Sequence, residues 1–150
     1  MRIFVDTNIV SELLEERSQV DYIDRIFEKA EQEGWTRVLS VGSFYTITFL
    51  TERFLRRQGI GQPQLVEQQR IILNSLLQAF EITDINKDEL SSGVADMQFN
   101  DLEDSYQYQS AIKSNCSILL TINKKDFKNV ADGNIQVLSP QDFIESYIRM

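Results

Sequence analysis

The chain has 150 residues, a formal net charge of −8, no histidine and a single cysteine, Cys116. These counts exclude imidazole catalysis, an internal disulfide, and the zinc, haem and iron–sulfur sites that need several His or Cys ligands. Any chemistry must use carboxylates, hydroxyls, amides, Lys or Arg. A bound metal would therefore be Mg²⁺ or Mn²⁺, which prefer oxygen ligands.

The composition is that of a soluble globular protein, with 42% hydrophobic and 25% charged residues. The length fits one domain over residues 1–150. No apolar run approaches the ~18 residues of a membrane span, and Asp6 comes too early for a signal-peptide core. We therefore expect a cytoplasmic domain without a membrane segment. The acidic balance argues against broad affinity for nucleic acid, although bound cations can bring phosphates to an acidic enzyme.

In the first half of the chain, apolar spacing predicts a strand, a helix, a strand and two helices, at residues 2–5, 9–33, 37–40, 44–58 and 65–79. Gly34 is the residue type that ends a helix. The predicted helix at residues 44–58 carries four aromatic residues, Phe44, Tyr45, Phe49 and Phe54. They could dock another protein or a second copy of the chain, but their spacing is equally that of a buried helix face. Core packing is the preferred interpretation.

The second half continues with a strand, two helices, two strands and a last helix, at residues 80–85, 87–97, 102–114, 117–121 and 135–138 and from Pro140 onward. Strands that alternate with helices predict a parallel sheet with helices on both faces. We therefore expect a three-layer α/β/α fold with a central parallel sheet of four to five strands.

In such a fold the functional groups lie at the carboxyl ends of the strands. Asp6 directly follows the first strand, and Asn123 and Asp126 follow the strand at residues 117–121. Asp101 and Asp104 open the preceding helix and share one of its faces, because they are three residues apart. Carboxylates that converge on one point repel one another unless they share a cation.

Each of these positions also has a structural interpretation. Asp6 and Asp101 are residue types that cap helices, and residues 121–127 could form an ordinary polar loop with solvated lysines. Glu103 is expected to face solvent. The functional interpretation is favoured because three separate groups of polar residues all lie at predicted strand ends or helix starts. These groups are Asp6, the pair Asp101 and Asp104, and the pair Asn123 and Asp126.

In their order and spacing these residues resemble the PIN domain family, the small metal-dependent ribonuclease fold that forms the toxin half of many prokaryotic toxin–antitoxin pairs. The resemblance is carried by Ile3-Phe4-Val5-Asp6-Thr7-Asn8, by Asp101-Leu102-Glu103-Asp104, and by residues 120–127 and 137–143. It implies RNA as substrate, Mg²⁺ or Mn²⁺ as cofactor and an antitoxin protein as a partner. It leaves a homodimer open.

Carried over by position, the resemblance makes Asp6 and Asp104 the metal-binding acids, assisted by Asp101 or Asp126. Residues that would orient the ligands and the phosphate are Thr7, Asn8, Thr46, Thr121 and Asn123. Residues that could guide the RNA backbone are Lys124, Lys125, Arg53, Arg56 and Arg57.

Two positions depart from the family pattern. Thr46 stands where the family has its second acid, and Asn123 stands where another Asp is usual. Glu52 cannot replace the acid at Thr46, because six residues turn a helix by about 240°. Two carboxylates can still hold one Mg²⁺ when phosphate supplies further oxygens.

Two functions remain open from these residues. The leading one is metal-dependent hydrolysis of RNA, in which the metal activates water. The alternative is a catalytically weak or inactive PIN-like module that binds RNA or a protein partner. A phospho-acceptor receiver domain is disfavoured, because it needs paired acids near the start of the chain and only Asp6 is there.

Overall fold

The structure is a computed structural model that describes residues 1–127, 130 and 133–149. Its centre is a parallel sheet of five strands, β1 (Arg2–Val5), β2 (Thr36–Ser40), β3 (Glu81–Thr83), β4 (Ile118–Leu120) and β5 (Gln136–Leu138). The strand order is β3-β2-β1-β4-β5, so β1 pairs with β2 on one side and with β4 on the other. The expected parallel sheet of four to five strands is confirmed.

The helices connect the strands on both faces of this sheet. In chain order they are α1 (Thr7–Leu14), α2 (Val20–Glu33), α3 (Val41–Arg57), α4 (Gln64–Ala79), α5 (Lys87–Ala95), α6 (Leu102–Lys113) and α7 (Pro140–Tyr147), with a short 3₁₀ helix at Lys124–Phe127. None of the helices in the described ranges is long and apolar enough to cross a membrane.

The side chains of β1 alternate between two hydrophobic cores. Ile3 and Val5 pack in one core with residues of α1, α2, α3 and α7. Phe4 packs in the other core, together with Tyr108 of α6 and Leu119 of β4. Because successive strand residues point to opposite faces, the buried residues of β1 that follow Arg2 are all apolar. This arrangement confirms the three-layer α/β/α fold.

The single helix expected over residues 9–33 is wrong, since a turn at residues 15–19 separates α1 from α2. This segment is entirely polar, and Glu16 has a positive φ of 47°, which a helix does not allow. The buried carboxylate of Glu12 accepts a hydrogen bond from the Gln19 backbone nitrogen at 3.2 Å and so stabilises the turn. Gly34 ends α2 as expected, in the left-handed conformation.

Core packing was the wrong interpretation for two of the aromatic residues of α3. Tyr45 is 74% exposed and Phe49 is 60% exposed. The buried face of this helix consists of positions four residues apart, namely Ser43, Ile47, Thr51 and Leu55. The buried face of α3 therefore contains two polar residues, while two aromatic side chains face solvent.

Candidate active site

An acidic cleft of about 420 Å³ lies where β1, β2 and β4 end. These strands are parallel, so the residues that follow them meet at one edge of the sheet. The cleft-lining residues that the structure describes include no Lys or Arg, but they include five acids, Asp6, Asp101, Glu103, Asp104 and Asp126. Thr7, Asn8, Thr46 and Asn123 also line it. The structure thus brings the candidate acids together, and with them Glu103, which is exposed at the rim.

Asp6 is 5% exposed, and hydrogen-bond donors surround its carboxylate. Its Oδ1 accepts from the Thr7 backbone nitrogen at 2.8 Å and from Gln107 Nε2 at 3.0 Å. Its Oδ2 accepts from Thr121 Oγ1 at 2.8 Å and from Asn8 Nδ2 at 3.4 Å. Asp6 is therefore both the cap of α1 and a carboxylate with a fixed orientation at the cleft.

Asn8, Thr121 and Asn123 join the end of β1 to the loop after β4. Asn8 Oδ1 accepts from the Ile122 backbone nitrogen at 3.1 Å, and its Nδ2 donates to Thr121 Oγ1 at 3.2 Å. The Asn123 backbone nitrogen also donates to Thr121 Oγ1, at 3.1 Å. These bonds hold the loop that carries Asn123 and Asp126 against the cleft.

Sequence reasoning missed a polar cluster formed by Ser40, Ser43 and Gln107, of which Ser43 and Gln107 line the cleft. Gln107 Nε2 donates to Ser43 Oγ at 2.7 Å, and its Oε1 accepts from Ser40 Oγ at 2.7 Å. Ser43 Oγ is also 2.7 Å from Thr7 Oγ1. One signal in the sequence could have found Gln107, because it follows Asp104 by three residues and so shares its helix face.

The acids of α6 occupy the first turn of that helix. Asp101 is the N-cap, and its Oδ1 accepts from the Glu103 backbone nitrogen at 2.9 Å. Burial and, after it, the negative charges of Asp101, Asp6, Asp126 and Glu103 together raise the pKa of Asp104 to about 7. The positive end of the helix dipole does not compensate for this crowding.

The donor set of the cleft fits a hard divalent cation bound by few protein ligands. Carboxylate oxygens of Asp6 and Asp104 are the type that Mg²⁺ and Mn²⁺ prefer, and water and phosphate complete such sites. The mutual repulsion at Asp104 is what a cation would relieve. A closed cage does not fit, since the described residues contain no group of three or more Asp, Glu or Cys placed to hold a metal ion.

Thr46 occupies the cleft wall where the resemblance places a second acid. Its side chain lines the cleft, and its hydroxyl donates to the Gly42 carbonyl at 3.2 Å. Glu52 is not among the cleft-lining residues, and it binds Arg56 at 3.0 Å instead. The hydroxyl of Thr46 therefore leaves this wall without the negative charge that a carboxylate would supply.

The basic residues considered for RNA lie outside the cleft, and several contact acids. Lys124 binds Asp142 at 2.9 Å and lowers the pKa of that carboxyl. Arg56 binds Glu52, Arg57 lies 3.8 Å from Glu15, and the Arg53 guanidinium is 5.8 Å from the centre of the Phe49 ring. Lys125 is exposed. A role of these residues in RNA binding stays a prediction.

Comparison with known proteins agrees with this geometry. A model of the PIN domain family matches residues 2–125. Ribonuclease VapC1 from Aquifex aeolicus (strain VF5) is 26% identical over 153 residues, which cover 97% of this chain and 95% of that relative.

A chain of the crystal structure of VapBC2 from Rickettsia felis bound to a DNA fragment from their promoter has the same fold. It has a TM-score of 0.67 at 18% identity, over 93% of this chain and 98% of that chain. Because the family match extends over most of its length, the chain belongs to the PIN domain family.

Proposed function

We propose that this protein is a ribonuclease that uses Mg²⁺ or Mn²⁺ and acts as the toxin of a toxin–antitoxin pair. The observation that carries the proposal is the convergence of a donor-bound carboxylate, Asp6, and a crowded carboxyl, Asp104, in one cleft. Membership of the PIN domain family and the similarity to Ribonuclease VapC1 support the choice of RNA as substrate.

In this proposal Asp6 and Asp104 hold the cation, and Asp101 or Asp126 assists them. A bound divalent cation lowers the pKa of water and stabilises negative charge on a phosphate. The chain's own contribution is orientation: Thr7, Asn8 and Thr121 fix the Asp6 carboxylate through hydrogen bonds. The basic residues outside the cleft, Lys124, Lys125, Arg53, Arg56 and Arg57, guide the RNA backbone.

The test is cleavage of labelled single-stranded RNA with Mn²⁺, with Mg²⁺ and with EDTA. Asp6→Asn and Asp104→Asn should each lower the cleavage rate by on the order of 100-fold or more, because each removes a metal-binding charge. Asp24→Asn is the matched control, since Asp24 is an exposed acid of α2 away from the cleft. Cleavage that persists unchanged in both cleft variants would refute the proposed site.

A second candidate is a PIN-like module that binds RNA or a protein without cleaving it. Two points favour it: Thr46 and Asn123 stand where the resemblance to the family places acids, and the described residues form no group of three acids placed to hold a metal ion. The unmutated protein would then show no cleavage with any divalent cation. It would still bind RNA or a partner in a fluorescence-anisotropy titration.

We also propose an antitoxin protein as partner, in keeping with the name VapBC2 of the structural neighbour. The exposed Tyr45 and Phe49 offer it an apolar surface on α3. Replacing both by Ser should weaken co-purification of the two proteins without lowering the melting temperature of the isolated chain. A homodimer and a cytoplasmic location remain predictions, which light scattering and cell fractionation would check.

A further inference from the structure

The buried side-chain amide of Gln107 has one orientation that satisfies its neighbours. Gln107 is 8% exposed, with its nitrogen 3.0 Å from Asp6 Oδ1 and its oxygen 2.7 Å from Ser40 Oγ. Ser40 Oγ accepts from the Ser43 backbone nitrogen at 2.9 Å, and its one hydroxyl hydrogen has two acceptors, the amide oxygen at 2.7 Å and Ser43 Oγ at 3.0 Å. The shorter distance favours the amide oxygen. The reversed amide would place an oxygen against the Asp6 carboxylate, which can only accept, so Asp6 selects the donating orientation and Ser40 holds the amide oxygen in it.

The two oxygens of the Asp6 carboxylate are occupied unequally. Oδ1 has two close donors, the Thr7 backbone nitrogen at 2.8 Å and Gln107 Nε2 at 3.0 Å. Two donors fill the lone-pair directions of one carboxylate oxygen. Oδ2 has one close donor, Thr121 Oγ1 at 2.8 Å. Its other described donor, Asn8 Nδ2, is at 3.4 Å, beyond the usual range for a strong bond.

We propose that Gln107 is a positioning residue that occupies Oδ1 of Asp6 and thereby makes Oδ2 the oxygen that receives the divalent cation. Ser40 acts one step further away, because it fixes the amide of Gln107 and is not among the described cleft-lining residues. This inference rests on the proposed function, since it assumes that Asp6 binds a cation. The inference assigns a role to Gln107 and Ser40, which are neither acids of the cleft nor part of the loop after β4.

The first measurement is Mn²⁺ affinity by calorimetry, in wild type and Gln107→Met. Methionine keeps the length of the side chain but cannot donate to Asp6, so we expect Mn²⁺ to bind 10- to 100-fold more weakly. Gln109→Met is the matched control, because Gln109 is on the same helix and is not among the cleft-lining residues. Its affinity should equal that of wild type. Wild-type affinity in Gln107→Met would overturn the proposal.

A double-mutant cycle separates positioning from a structural role and remains informative if one variant folds poorly. Ser40→Ala removes both the partner of the Gln107 amide and the cap of α3, so it should lower stability in either background. It should weaken Mn²⁺ binding only when Gln107 is present. Equal losses of affinity in the wild-type and Gln107→Met backgrounds would show that Ser40 does not act through Gln107.

Asp6→Asn, measured in the same series, distinguishes a failure of the proposed function from a failure of the role assigned to Gln107. If Asp6→Asn binds Mn²⁺ as tightly as the wild type, or if the wild type binds no Mn²⁺, the proposed function fails and the inference fails with it. If Asp6→Asn loses affinity while Gln107→Met keeps it, only the role of Gln107 is overturned. Loss of affinity in both variants, with Gln109→Met unchanged, supports both.

Discussion

Partial burial is the largest cause of the raised pKa of Asp104, and the charges of four other carboxyl groups nearby add to it. A helix cap or a surface acid does not require such an environment, because exposed charges at a helix start are stabilised by the dipole. The crowding is therefore a cost of bringing the acids into one cleft. Because this crowding raises the pKa of Asp104, its effect can be measured as a change of protein stability with pH, without any substrate.

We expect Asp104→Asn to stabilise the protein in EDTA at pH 8. The pKa of Asp104 is raised by folding, so the folded state binds more protons than the unfolded state between about pH 4 and pH 7. Stability is therefore lost as pH rises through this window, and asparagine avoids that loss. The gain should be on the order of 2 kcal/mol at pH 8, after allowance for solvent screening, and near zero at pH 4. Urea unfolding of both proteins at both pH values measures it, and an equal difference at the two values would contradict it.

Thr46→Glu should restore a carboxylate to the cleft wall. Because Thr46 lines the cleft, a glutamate there adds charge to the site of the acids. We expect about tenfold tighter Mn²⁺ binding, since affinity for hard cations rises with ligand charge, and lower stability in EDTA. Gln58→Glu is the control, because it adds the same charge just beyond the far end of α3. Unchanged Mn²⁺ affinity in Thr46→Glu would show that this wall does not contact the cation.

The packing of α5 against α6 sets the position of the acidic helix. Ser105 Oγ donates to the Gly93 carbonyl at 2.7 Å. A Cβ atom at Gly93 would lie 2.8 Å from Cδ1 of Tyr106, whose side chain lines the cleft. Glycine therefore allows the two helices to approach closely, and this approach places the residues of α6 at the site.

Gly93→Ala should destabilise the protein by about 1–3 kcal/mol, because the added methyl group overlaps the Tyr106 ring. Helix propensity alone predicts the opposite sign, since alanine favours a helix more than glycine does. Ser92→Ala, at an exposed position of the same helix, tests that propensity without the overlap. Thermal or urea unfolding of the two variants should give shifts of opposite direction.

Local signals explain which elements the sequence could predict. Gly34, Asp101 and Pro140 mark helix ends through their own backbone preferences, and the structure has helix boundaries at all three. The buried face of α3 was not predictable in this way. Ser43 and Thr51 are buried on it because Ser43 bonds Gln107 at 2.7 Å and Thr51 bonds the Thr48 carbonyl at 2.8 Å.

The same distinction applies to the candidate site. The convergence of Asp6, Asp104 and Asp126 could be expected, because parallel strands bring their carboxyl ends to one edge. The contact between Gln107 and Asp6 spans 101 residues and depends on how α6 packs on the sheet. A single sequence contains no signal for such a contact beyond the spacing of Gln107 from Asp104.

At the scale of the whole molecule, the net charge of −8 includes the five acids of the cleft. A cation that binds only the folded state at ~100 times its dissociation constant stabilises it by about 2.7 kcal/mol. We therefore expect Mn²⁺ to raise the melting temperature by roughly 5–10 °C relative to EDTA. NaCl at matched ionic strength controls for general screening, and Asp6→Asn should lose the Mn²⁺ effect. Coincident melting curves in Mn²⁺ and EDTA would contradict this expectation.

The central position of β1 also has a consequence for the time at which the cleft forms during synthesis. The carboxylate of Asp6 is made early, but its partners Gln107 and Thr121 follow 101 and 115 residues later. Chains emerge from the ribosome at about 5–20 residues per second. Gln107 and Thr121 are therefore added several seconds after Asp6. An interrupted chain that stops before α6 would carry the acid without Gln107 and Thr121. If the protein cuts RNA, such partly made copies would lack Asp104 as well and should be inactive.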